Sequence, residues 1–113
     1  MTTQLEPLKE SYYEYIEKIP SGVQTIISLL QQQQYDQAFP SLANLAEGIE
    51  ALSIIEQTFI QDGYQSTSRL QESIVIIQEV AQILQNQCYD QLEGQIKGLL
   101  AIFESATEWT FVK

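Results

Sequence analysis

An antiparallel up-down-up-down four-helix bundle, all-α and assembled from two similar helical hairpins, is the architecture expected of this chain. Three observations point to it. Helix breakers are sparse, with three prolines and five glycines in 113 residues. Apolar side chains recur in steps of four and three, the rhythm of one helix face rather than the alternation of a strand. Finally, LLQQQQYDQ at 29–37 returns as ILQNQCYDQ at 83–91, offset by 54 and identical at six of nine positions.

The first helix is expected over about 8–33. Tyr12, Ile16, Ile19, Val23, Ile26 and Leu30 form its seam. A kink is expected at Pro20, which removes a backbone donor and disfavours helix at Ile19. The four glutamines at 31–34 are too few for a low-complexity tract, and Gln is a good helix former, so they read as the helix's last turn.

The second helix, about 36–61, carries Leu42, Leu45, Ile49 and Leu52 and stops at Gln61-Asp62-Gly63-Tyr64, where Gly63 can take the left-handed cap conformation. Asp36 is its expected N-cap; Pro40 sits awkwardly inside and favours a start nearer Phe39. The third helix is expected from Ser66–Ser68, with Ser68 and Gln71 spaced as a capping box and a seam of Leu70, Ile74, Ile77, Ala81, Leu84 and Cys88. The fourth, about 90–108, has Asp90 and Glu93 at its start and Leu92, Ile96, Leu99, Phe103 and Ala106 along its seam, with residues 109–113 left as a tail.

Sliding 23–52 onto 77–106 makes nine of thirty positions identical and places apolar on apolar at each seam position, so an internal duplication is expected. Seventeen glutamines raise chance identity, but the shared Tyr-Asp-Gln keeps the same distance from both flanking seams. One hairpin cannot cover its own apolar stripe, so two are expected to bury their seams against each other, hairpin 1 over about 8–61 and hairpin 2 over about 66–108 in one domain. The four-three step favours left-handed packing near +20°.

In that arrangement both Tyr-Asp turns emerge at one end. Tyr35, Asp36, Tyr89 and Asp90 therefore become candidate partner-binding residues, the aspartates as caps, the tyrosines lacking the usual staple partner four residues past each cap, where Pro40 and Gly94 stand. Trp109 and Phe111 join them as candidates at the opposite end, where with Tyr12, Tyr13 and Tyr15 they can either cap the core or line a groove for a partner.

Chemistry is thinly represented. Histidine is absent, which removes the commonest general base and metal ligand, so neither a metal nor another cofactor is expected. Acidic pairs at helical spacing (Glu14 and Glu17, Glu47 and Glu50, Glu104 and Glu108) flank the seams and read as solvated faces. Cys88, the single cysteine, has no cationic neighbour and is expected to be a half-buried hydrophobe. Enzymatic activity is not expected.

Fifteen acidic residues oppose five basic ones (Lys9, Lys18, Arg69, Lys97, Lys113), a net charge of −10. Scattered cations cannot displace the counterions of a nucleic acid, and an anionic membrane would repel the chain; a basic or helical protein partner is the expected ligand. No secretory signal or membrane-spanning stretch is evident, which with one cysteine suggests the cytoplasm. The third helix (Ile74, Val75, Ile76, Ile77, Val80, Ile83) and the second (Ala51, Ile54, Ile55) hold more apolar residues than one seam uses, enough for a homodimer face. A small acidic helical bundle is similar in type to bacterial export chaperones and immunity proteins, without a shared motif that would carry residues over. The expected role is a non-enzymatic interaction or adaptor protein, with an acidic immunity protein or antitoxin, neutralising a basic partner, as the alternative.

Overall fold

A computed structural model describes residues 5–112, with side chains from Pro7 onward; Lys113 lies outside the described residues. Four helices run α1 (Leu5–Gln31), α2 (Tyr35–Gln61), α3 (Leu70–Asn86) and α4 (Leu92–Glu104). Short 3₁₀ turns at Tyr89–Gln91 and Ser105–Glu108 flank α4. The helices pack in a ring, each against its chain neighbours and α1 against α4, in a rod of 48 × 22 × 21 Å.

The α1–α2 and α3–α4 turns are built alike. Gln33 and Gln87 both adopt φ 58°, the left-handed conformation. In each turn two amides reach back across the helix end: Gln33 N–H to the Leu30 carbonyl (3.0 Å) and Gln34 N–H to Leu29 (2.9 Å), then Gln87 N–H to Leu84 (3.3 Å) and Cys88 N–H to Ile83 (3.1 Å). Donors and acceptors correspond at the offset of 54 read from the sequence. Gly63 (φ 93°) closes α2 with the same pair of bonds, its amide to Ile60 and that of Tyr64 to Phe59, both 3.0 Å. A glutamine in the left-handed region costs roughly 1 kcal/mol that glycine would not. Gln33→Gly and Gln87→Gly should therefore each raise stability by about 0.5–1 kcal/mol in urea unfolding; destabilisation by both would show that the side chains matter more than the backbone.

Helix starts depart from expectation. Neither aspartate caps: Gln34 precedes α2, its carbonyl accepting from the Gln37 and Ala38 amides (3.2 and 3.0 Å), with no side-chain cap bond. Asp36 lies in the first turn, where its charge favours the positive end of the helix. Asp90 falls inside the 3₁₀ turn, and Glu93 does not close a box with it. Ser68 caps no third residue; its hydroxyl accepts from the Leu70 amide (3.4 Å), and α3 begins after Arg69. α1 continues through Pro20, and α2 starts at Tyr35, ahead of Pro40, which forfeits only the bond that would have gone to Asp36 in the first turn.

The seams of α1, α2 and α4 are buried as expected, including Tyr12, Ile16, Val23, Leu42, Ile49, Leu92 and Leu99. α3 differs. Its buried residues are Leu70, Ser73, Val80 and Ile83, whereas Ala81 is exposed and Ile74, Ile77 and Leu84 are half-buried. Burial thus leaves the 54-residue correspondence here, since Ile27 and Leu30 are buried while their counterparts Ala81 and Leu84 are not. Of the surplus apolar residues, Ala51, Ile54 (69% exposed) and Val75 remain in solvent.

The described residues of the tail, 109–112, close back on the fold. Phe111–Val112 pairs antiparallel with Gln65–Ser66 of the α2–α3 connection, Ser66 opposite Phe111 and Gln65 opposite Val112. Thr67 and Thr110 extend the clasp: the Thr67 amide donates to the Thr110 carbonyl (3.0 Å) and the Thr110 amide to the Thr67 hydroxyl oxygen (2.8 Å). No helix among the described residues is long and apolar enough to cross a membrane.

Candidate functional site

The two similar turns bring Tyr35 and Tyr89 together, with ring centroids 5.2 Å apart. Phe39, one helical turn beyond Tyr35, completes a trio: it stacks on Tyr35 (5.5 Å, 16°) and meets Tyr89 edge-on (5.2 Å, 62°). Offset and edge-on contacts at these distances are favourable beyond simple burial. All three rings are only half-buried, so this end presents aromatic surface to solvent, beside the exposed Asp36 and Asp90.

One polar tie crosses the same end. The Gln31 amide donates to the Glu93 carboxylate (3.2 Å), joining the last residue of α1 to the first turn of α4, and Lys97 pairs with the same carboxylate (2.7 Å). Lys97 first and Gln31 second hold Glu93 below the usual carboxylate range. By contrast, Asp36 and Asp90 have no cationic partner among the described residues, whose ion pairs are Arg69–Glu72 and Lys97–Glu93. Cys88 is half-buried beside the trio, its thiol against the Asn86 carbonyl (3.6 Å).

The opposite end is a packed aromatic cap. Trp109 is 4% exposed and Phe111 8%, both within the core. Trp109 lies against Phe103 (5.6 Å), and Phe111 stacks on Phe59 (4.2 Å, 13°) and meets Tyr12 edge-on (5.1 Å). The Tyr13 hydroxyl donates to the Trp109 carbonyl (3.2 Å). Trp109 and Phe111 therefore fill the cap and offer a partner little surface, leaving Tyr35, Asp36, Tyr89 and Asp90 as the accessible members of the candidate set.

Beneath the cap lies a polar cluster absent from the sequence reading. Glu56 is 4% exposed and accepts a short hydrogen bond from the Ser68 hydroxyl, while the Tyr12 hydroxyl, beside them, is buried without a hydrogen-bond partner. Burial chiefly, and the Glu56 charge next, push the Tyr12 phenol well above its ordinary range, while the nearby Ser68 hydroxyl acts in the opposite sense. The signal was present in the sequence: Leu42, Leu45, Ile49, Leu52, Glu56 and Phe59 continue one four-three rhythm, with a carboxylate in the seam. The acidic pairs noted earlier are solvent-exposed, and no group of three or more potential metal ligands occurs among the described residues.

A family model described as Domain of unknown function (DUF8042) matches residues 8–109, a span that takes in both hairpins. No curated protein and no solved structure matches the chain.

Proposed function

The chain belongs to the family of the domain of unknown function DUF8042, a membership that brings no activity with it, and we propose that it is a non-enzymatic interaction module that docks a basic protein partner at its Tyr-Asp end. The supporting observation is the half-buried trio of Tyr35, Phe39 and Tyr89 beside the unneutralised carboxylates of Asp36 and Asp90. Tyrosine rings on a rigid helix end supply contact area at low entropic cost, and flanking acids select a cationic partner and speed its approach. The net charge of −10 adds long-range attraction to such a partner and repulsion from nucleic acid and anionic membranes, in keeping with a cytoplasmic protein. Self-association through Ile54 and Val75 is a weaker use of surface, since single exposed apolar residues are ordinary.

The test is binding kinetics with the partner captured by cross-linking at this end. Tyr35→Ala with Tyr89→Ala should speed dissociation by tenfold or more, on the order of 1.4 kcal/mol or above, whereas Asp36→Asn with Asp90→Asn should slow association and flatten its salt dependence. Unchanged kinetics in both double variants, each folded by circular dichroism, would remove the proposal. The alternative, an acidic immunity protein or antitoxin that neutralises a basic nuclease or membrane-active toxin, calls for association that falls steeply with salt and is indifferent to the tyrosines.

A further inference from the structure

Where Pro20 interrupts the hydrogen bonding of α1, the α1–α4 contact opens into a groove of about 540 Å³. Its floor is apolar, made by Ile16, Pro20, Phe103 and Ala106, and its lips are the carboxylates of Glu17 on α1 and Glu104 on α4. The polar inventory is one-sided. Pro20 has no N–H to give the Ile16 carbonyl, the Tyr13 hydroxyl at one end is already committed to the Trp109 carbonyl, and neither Glu17 nor Glu104 has a cationic partner among the described residues. Of the lining side chains only the Thr107 hydroxyl remains as a donor.

An occupant must therefore bring hydrogen-bond donors and positive charge on an apolar stem. Lysine and arginine have that construction: their methylene stems lie along apolar surface while the cationic head reaches for carboxylates at the edge. We propose that the α1–α4 groove is a receptor for a basic side chain of a protein partner, its stem on Phe103 and Ala106 and its head between Glu17 and Glu104. The chain's own Lys18 is placed elsewhere, lining the separate cleft between α1 and α2. The inference shares with the reading above only the basic nature of the partner, and it concerns a different surface.

The probe is a peptide of about a dozen Leu and Lys residues patterned as an amphipathic helix, titrated into isotope-labelled protein and followed by amide chemical shifts. Expected are shifts at the groove residues and a loss of affinity of about five- to tenfold in Glu17→Gln/Glu104→Gln. The control Glu47→Gln/Glu50→Gln removes the same charge from an exposed pair on α2 and should cost less than about twofold. Thr107→Arg, at an exposed position on the groove's edge, should fill it from within and displace the peptide while leaving the fold intact. Equal losses in the two glutamine pairs, or a Thr107→Arg protein that binds as well as the parent, would overturn the proposal. Shifts centred on Tyr35 and Tyr89, abolished by their alanine substitution, would do so too while sparing the Tyr-Asp end.

Discussion

Phe59→Ala should lower stability by about 3–5 kcal/mol, the range for deleting a fully buried aromatic ring, with a matching fall in the urea midpoint. The ring is 1% exposed and brings together α2, the α2–α3 connection and the C-terminal strand. Phe111 of the C-terminal strand stacks on it at 4.2 Å, and Tyr64, just past the Gly63 cap, meets it edge-on at 5.3 Å. Its own carbonyl accepts the Tyr64 amide (3.0 Å) and so forms part of the cap that ends α2. Removing the ring leaves Phe111 without its stacking face and weakens the clasp at Ser66 and Phe111. Amide exchange should accordingly rise first at Gln65–Thr67 and Thr110–Val112, ahead of the seams of α1 and α4. A loss below about 1 kcal/mol, or protection unchanged in those segments, would mean that the clasp stands without the ring.

Glu56→Ala is the second large effect, expected at about 1–3 kcal/mol, because it removes a buried acceptor and strands the Ser68 hydroxyl. Glu56→Gln keeps an acceptor for Ser68 and should cost less. Ser68→Ala removes the donor instead, and a double-mutant cycle between positions 56 and 68 should show coupling of about 1 kcal/mol or more. Tyr12→Phe provides the opposite sign: its hydroxyl is buried with no partner, so deletion should be neutral or stabilising. Additive losses at Glu56 and Ser68 would show that their short contact does not contribute to stability.

Three of the four seams were legible because each helix offered one dominant four-three stripe, with polar residues between. α3 was not, since Ile74-Val75-Ile76-Ile77 supports more than one stripe. The one that prevailed buries Ser73, whose hydroxyl is satisfied by the Leu70 carbonyl at 2.5 Å, and turns Ala81 outward. Serine reads as polar in any hydrophobic pattern, so periodicity alone could not favour it. The same bias hid Glu56, although it sits on the extrapolated seam of α2.

At the candidate site, the adjacency of Tyr35 and Tyr89 followed from topology alone, because two tight turns at one end of a bundle must meet. Their packing partner did not follow: the staple position, five residues beyond each tyrosine, holds Pro40 or Gly94, whereas Phe39 lies four residues beyond Tyr35 along α2 and reaches across to Tyr89 as well. The aspartates do not cap because α2 begins two residues before, and α4 one residue after, the place that an Asx cap would set, with Gln34 and Gln91 at the boundaries instead. The strand pairing gave no sequence signal, two residues on each side being too short for any alternation to register.

The antiparallel pairing of Gln65–Ser66 with Phe111–Val112 also fixes an order of events during synthesis. All four helices can emerge from the ribosome and begin to associate while Phe59 still faces solvent, because its stacking partner Phe111 follows them in the chain. A chain that has emerged only as far as α4 is thus a bundle with an open lid, greasy at one pole, and Phe111–Val112 act as a zip fastener that shuts after the helices.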